Sequence, residues 1–327
     1  KFLALEKHQP LTQFEVPTSA NLLIMCDVDG DRKKELIFST GRDLIVYALD
    51  RDLNPALGGI TIKGSVNDHH IWIDSTDLNK NDKDEIIITS MKGEDIISSV
   101  YEYDGKEFTL IYQDNVFMRK MGDKLIAQSY SRNLGFDGEV FYLQWEGVLK
   151  KGDALKLPGD VNIYDFVFFE DPKAGRLLLA YDENGYLNVY DENAMRLWRS
   201  KTSAGDFLTT FKKNAPSVMV DRGGWSVKDR LIFKQKDILY VKRIPFFDIV
   251  KGFGYKKSQI RSLQWNGYSM EESIVIDGVD GTILDYAVTS DNIFVLASPL
   301  FGIRAGNILK GESPVKKELY IYPLKGM

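Results

Sequence analysis

The sequence is poor in the residues from which reactive centres are most often built. It has three histidines, His8, His69 and His70, and one cysteine, Cys26. That scarcity argues against a histidine-based metal centre or a Ser-His-Asp triad. A lone cysteine leaves no intramolecular disulfide framework, and its apolar run reads as a buried thiol rather than a nucleophile. No run of eighteen apolar residues is present to span a membrane as a helix. Positive charge is not in excess either. Lys and Arg total 42 against 47 Asp and Glu, the net charge is -5 and the pI about 5.4, so no nucleic-acid footprint is expected. Basic pairs at 119–120, 150–151, 212–213, 256–257 and 316–317 are scattered and read as solvated turns. No window of twelve or more residues carries a clean helical period. There is no signal peptide and the chain begins at Lys1, which predicts a processed or excised product.

What is present is an abundance of short strands. Aromatics make up 12% of the chain, and Val, Ile, Leu, Tyr and Phe come in brief runs broken by turn residues. Strands are predicted over 22–26, 35–39, 43–49 and 60–63, and the plan repeats over 69–113, 116–157 and 161–200. An aromatic that ends a strand before a polar turn recurs as Tyr103-Asp104-Gly105, Trp145-Glu146-Gly147, Tyr190-Asp191-Glu192 and Trp265-Asn266-Gly267. The turns at 104, 146, 191 and 266 are spaced 42, 45 and 75 residues apart. A period of 40–50 residues with four strands per period predicts an all-β fold, a β-propeller. The 75-residue step is read as one blade with strands at 217–220, 231–234 and 238–242, an insertion over 244–257, and closing strands at 260–265 and 270–276. The last unit has three strands and a second insertion, over 299–317. The unpaired strand at 11–16 is expected to supply its fourth, closing the ring with both chain ends in one blade. Six blades are favoured, with seven as the alternative, and the whole of 1–327 is expected to form one propeller.

Two acidic stretches punctuate the first two units. In the first, Asp27, Asp29, Asp31, the Lys33 carbonyl and Glu35 stand at alternate positions, with Gly30 allowing the bend. Oxygen ligands at loop positions 1, 3, 5, 7 and 9 can wrap a calcium ion, which takes six to eight oxygens. The second stretch offers Asp77, Asn79, Asn81, the Lys83 carbonyl and Glu85. Fewer formal charges there predict weaker binding. The competing reading is an acidic hairpin neutralised by Arg32, Lys33 and Lys34. One or two structural calcium ions are therefore expected, each pinning a loop between the first and second strands of a blade.

Asp-Val-Asp-Gly-Asp at 27–31 with Lys-Glu-Leu-Ile at 34–37, and Asp-Leu-Asn at 77–79 with Lys-Asp-Glu-Ile-Ile at 83–87, resemble the FG-GAP/VCBS repeat. Residues 260–267 and 285–287 look like the final blades of bacterial VCBS-type propellers. Arg32 stands where the repeat usually has a second Gly, and the later units depart from the motif. The resemblance implies a calcium-stabilised propeller in a secreted, periplasmic or surface protein, serving in adhesion, ligand binding or assembly. A non-catalytic module that meets another protein of the envelope or surface is thus expected. The interface is predicted on the insertions, at Phe246, Phe247, Phe253 and Tyr255 and at Phe301 and Ile303. The alternative is a propeller-type hydrolase or lyase acting on a polysaccharide.

Overall fold

β-branched and aromatic runs form strands here because such side chains pack well on a pleated, half-buried surface. The computed structural model describes residues 1–56, 58–213, 223–245, 255–299 and 316–325. The short strand β1 (Thr12–Val16) precedes the first blade, β2 (Leu22–Cys26), β3 (Glu35–Ser39), β4 (Leu44–Tyr47) and β5 (Ile60–Ile62). The second is β6 (Asp68–Thr76), β7 (Glu85–Lys92), β8 (Asp95–Tyr103) and β9 (Phe108–Asp114). The third is β10 (Val116–Met121), β11 (Lys124–Ser131), β12 (Gly135–Trp145) and β13 (Leu149–Ala154). The fourth is β14 (Phe166–Asp171), β15 (Gly175–Tyr181), β16 (Leu187–Tyr190) and β17 (Arg196–Arg199). A separate hairpin follows, β18 (Thr209–Lys212) with β19 (Gly224–Val227). The fifth blade is β20 (Ile232–Lys234), β21 (Asp237–Pro245), β22 (Tyr255–Trp265) and β23 (Met270–Val279). The sixth is β24 (Gly281–Val288), β25 (Asn292–Pro299), β26 (Lys317–Pro323) and, at its outer edge, β1.

The fold is thus an all-β propeller of six blades, closed as expected by the pairing of both chain ends. Thr12 lies opposite Ile321 and Val16 opposite Lys317. The first and sixth blades meet where the Leu23 amide donates to Asp285 Oδ2 at 2.9 Å. Neighbouring blades share apolar interfaces. Leu22, Ile24 and Val46 of the first pack with Ile73, Ile86 and Ile88 of the second. Leu23 and Phe38 meet Phe294 and Leu319 of the sixth. Each fully buried Leu, Ile, Val or Phe contributes roughly 1.5–3 kcal/mol. A four-stranded blade exposes two apolar faces by itself, so these interfaces exist only in the ring.

His70 crosses one such interface. It is buried, and its Nδ1 lies 2.9 Å from the Ser39 hydroxyl of the first blade. Burial, with smaller effects from Asp68, His69, Asp43 and Lys92, holds the imidazole down at about 4. Its unfolded value is near 6.5, so below that pH the unfolded chain takes up a proton that the folded chain refuses. The contribution of neutral His70 is complete above about pH 6.5 and is lost as pH falls toward 4. Urea titrations at pH 7 and pH 4 should show the wild type losing up to about 3 kcal/mol more than His70→Asn. Equal losses in the two proteins would remove His70 from the account.

Two expectations for the fifth and sixth blades need correction. The insertion over 244–257 is narrower, because the β21–β22 ladder pairs Ile244 with Lys257 and Pro245 with Tyr255. Likewise Pro299 ends β25 and Lys317 begins β26. The strand expected at 217–220 lies outside the described residues. The β18–β19 hairpin was not expected at all, since its two short runs have no partner strand in the period. It is anchored through tertiary contacts: Phe211 and Trp225 stack at 5.4 Å, and Phe211 packs on Phe117, Tyr130 and Phe136. Gly135 faces the Trp225 ring, where a Cβ would come within 2.6 Å.

Candidate functional site

In an up-and-down blade, the turns between first and second strands all lie on one rim. Both acidic loops are on that rim, in adjacent blades. The first gathers Asp27, Asp29 and Glu35, whose oxygens lie within 4.8 Å of one another. The Asp27 carboxylate accepts from the Gly30 and Arg32 amides at 2.7 and 2.8 Å. Glu35 Oε2 accepts from the Val28 amide at 2.9 Å. Gly30 and Arg32 take positive φ, 82° and 67°, to turn these amides inward. Asp31 sits outside the cluster, with its carboxylate toward the Lys33 amide and ammonium. Burial, then Asp29 and Asp27, push Glu35 up to about 7.

The second loop repeats the backbone design. Asp77 accepts from the Asn81 and Asp82 amides, and Glu85 from the Leu78 amide. Lys80 and Asp82 take the two positive φ values. Its centre is different. The Asn79 amide nitrogen donates to Glu85 Oε1 at 2.7 Å and to Glu102 at 3.0 Å, while Asn81 donates to Glu102 at 2.7 Å. Asn79 Oδ1 is buried without a partner. The first loop fits a hard cation, with three carboxylates converging at the separations that ligands of one calcium ion adopt. The second fits less well, because nitrogens face its carboxylates. The two loops touch: the Asp84 amide donates to the Asp27 carbonyl at 2.7 Å, and the Asp27 amide to Asp84 Oδ2 at 3.2 Å.

The same rim surrounds the open end of the central channel, a cavity of about 610 Å3 lined by the first strands of all six blades. The β18–β19 hairpin packs against the second, third and fourth blades through Phe211, Val227 and Trp225. Arg230, just before β20, crosses the channel as a strut. It donates to Asp74 Oδ1 of β6 at 3.2 Å and to Asp285 Oδ1 of β24 at 3.1 Å, and its guanidinium lies 4.2 Å from the Trp72 ring centroid. Asp74 Oδ2 also accepts from the Trp72 indole at 2.7 Å and the Lys120 amide at 2.9 Å.

Around this strut the wall is basic. Lys34, Arg119, Lys120, Lys124 and Arg176 line the cavity, and none is ion-paired with a described residue. Arg119 covers the Phe166 ring at 4.7 Å, Arg176 the Phe168 ring at 3.6 Å and Lys124 the Tyr142 ring at 4.9 Å. Each pair attracts through the ring quadrupole. Apart from Asp74, which Arg230 holds, the one acidic residue lining the cavity is Asp123 on the exposed β10–β11 turn. Sequence reasoning missed this site. A signal was there: charge interrupts an apolar run at Asp74, at the basic pair Arg119-Lys120 and at Asp285, in the first strand of three different units.

Of the expected interface residues, Phe246, Phe247, Phe253, Phe301 and Ile303 lie outside the described residues. Tyr255 is a strand residue, not a loop residue. It opens β22, is half-buried, and its hydroxyl donates to Asp206 Oδ2 at 3.3 Å. The described strand ends Pro245, Tyr255, Pro299 and Lys317 stand at the rim opposite the acidic loops, between the second and third strands of their blades. Cys26 is buried, and burial, with Asp84 adding to it, pushes its thiol far above the ordinary range. That is the protonated, inert thiol expected. Among the described residues, no helix is long and apolar enough to cross a membrane.

No protein-family model matches the chain, and no curated protein matches it. Solved structures similar to it include one described as the Dos1 propeller, at 10% identity over 92% of this chain and 68% of that one, with a TM-score of 0.42. Another is described as the AfRom2 CNH domain, at 10% identity over 98% of this chain and 99% of that one, with a TM-score of 0.45.

Proposed function

We propose that this chain is a non-catalytic binding or assembly module of the cell envelope or surface, whose partner is another protein. The observation that carries the reading is the channel, which opens on the acidic-loop rim and is walled by cations with no ion-pair partner among the described residues. Its volume lies in the range of ligand pockets. Calcium in the 27–35 loop, held by Asp27, Asp29 and Glu35, would brace the rim beside it. Asp31 and the Lys33 carbonyl complete the expected ligand set, and the 77–85 loop is the weaker candidate. The likeness of both loops to the FG-GAP/VCBS repeat supports calcium and an extracytoplasmic setting.

A polysaccharide hydrolase or lyase is the less favoured reading. It needs a carboxylate free to act on a substrate in the cavity. Asp74 and Asp285 are both bound to Arg230, which holds them in the strut rather than free to meet a substrate. Because Cys26 is buried, an introduced cysteine gives a unique handle for cross-linking. Asp123→Cys puts it at the mouth, and Asn133→Cys puts it on the opposite rim. In the envelope fraction, Asp123→Cys should yield one predominant protein adduct that Asn133→Cys does not. Equal adducts from both positions, or none from 123, would overturn the reading.

A further inference from the structure

Arg119 is 6% exposed and lies in the wall of the channel. Its guanidinium makes one hydrogen bond, from Nη2 to the Phe166 carbonyl at 2.9 Å. Nε is buried with no acceptor, and Nη1 has none either. Four of the five N–H donors of the arginine are therefore without a partner among the described residues. Asp74, whose negative charge supports Arg119 most strongly, already serves Arg230, Trp72 and Lys120. A buried charge with so few hydrogen bonds is expensive to maintain, and burial draws the guanidinium down to about 10. It still carries its charge at neutral pH.

The other cations in the wall point the same way. In a chain where acids outnumber bases, the channel mouth reverses the balance. The surrounding aromatic rings do not offer bare stacking platforms. Trp72 lies between Arg230 and Tyr164, and Phe166, Phe168 and Tyr142 each have a cation over one face. The wall thus presents charge to a ligand more than it presents flat apolar faces, which disfavours a sugar ring.

We infer that the channel binds a carboxylate, carried by an acidic segment of a protein partner, through the free donors of Arg119. The inference rests on the binding-module reading above and names the chemistry of its ligand. Lys120, Lys124 and Arg176 steer the segment into the mouth, and Arg119 takes the carboxylate in a charge-assisted bond.

The test uses the full chain and three labelled probes, a hexaglutamate peptide, a hexaglutamine peptide and a hexagalacturonate, read by fluorescence anisotropy. Hexaglutamate should bind, hexaglutamine should not, and added salt should weaken the binding. Arg119→Gln should weaken it at least about 10-fold, the scale of one lost hydrogen bond between charged groups. Because Arg119→Gln changes a buried position, its melting is measured alongside. Lys124→Gln with Arg176→Gln, both on exposed side chains, should weaken binding several-fold without altering the melt. Unchanged affinity in the Arg119 variant overturns the inference, as does failure of the wild type to bind hexaglutamate. Hexagalacturonate binding as tight as hexaglutamate would assign the site to an acidic saccharide instead. A cross-link from position 123 that persists undiminished in Arg119→Gln would retain the binding module and discard the carboxylate.

Discussion

Asp229→Ala should destabilise the protein by about 3–5 kcal/mol, the largest effect expected of any single substitution here. Asp229 is the carboxylate partner of Arg243, the largest fully buried side chain in the described structure. Arg243 projects from β21 of the fifth blade. Its Nη2 donates to Asp229 Oδ1 at 3.0 Å and to the Ile283 carbonyl of the sixth blade at 2.8 Å, and its Nη1 to the Asp206 carbonyl at 3.1 Å. One guanidinium thus ties together the fifth blade, the sixth, and both ends of the segment carrying the β18–β19 hairpin. Gly205 lets that segment pass close by, with φ at +117° and only 3.0 Å between an added Cβ and the Arg243 Cβ. Removing Asp229 leaves the charge buried among carbonyls alone. The double variant Asp229→Ala with Arg243→Met should cost less than the sum of the two single changes, because it removes the stranded charge as well. Urea unfolding measures all three. Additive costs would show that the pair does not act as a unit.

Calcium should raise the melting temperature relative to chelator. At a free concentration one hundred times the dissociation constant, the gain is about 2.7 kcal/mol, or roughly 4 °C for a chain of this size. The physical origin is the convergence of Asp27, Asp29 and Glu35, which repel one another until a cation sits between them. The sign of a mutation should therefore depend on the metal. Asp29→Asn relieves repulsion and should raise the melt in chelator, yet it should lower the melt in calcium relative to the wild type. Asp77→Asn should leave most of the calcium shift in place, since the amides of Asn79 and Asn81 occupy the centre of the second loop. Identical melts with calcium and with chelator would sink the metal reading. Because the two loops touch through Asp27 and Asp84, stabilising the first should also protect amides of the second from hydrogen exchange.

Local sequence was sufficient for the blades. Alternation, turn chemistry and a recurring aromatic-then-turn pattern are properties of neighbouring residues, and they located the strands, the period, the six blades and the closing strand β1. The acidic loops were legible for the same reason, because their acidic and amide side chains lie within nine residues of one another. Even their backbone was foreshadowed: Gly30 marks the position at which Lys80 adopts the same left-handed turn.

Tertiary structure alone decided the rest. The channel brings Asp74, Arg119, Arg230 and Asp285 together from four blades, so no spacing in the chain could announce their meeting. The β18–β19 hairpin falls outside the repeat and owes its place to Phe117, Tyr130 and Phe136, aromatic partners from an earlier blade. The sequence by itself determined a ring of blades and a pair of acidic turns, because strand period and turn chemistry are short-range. Which charges face the axis, which are neutralised there and which remain unpaired depended on closing the ring, because each innermost strand meets its counterparts only across the channel.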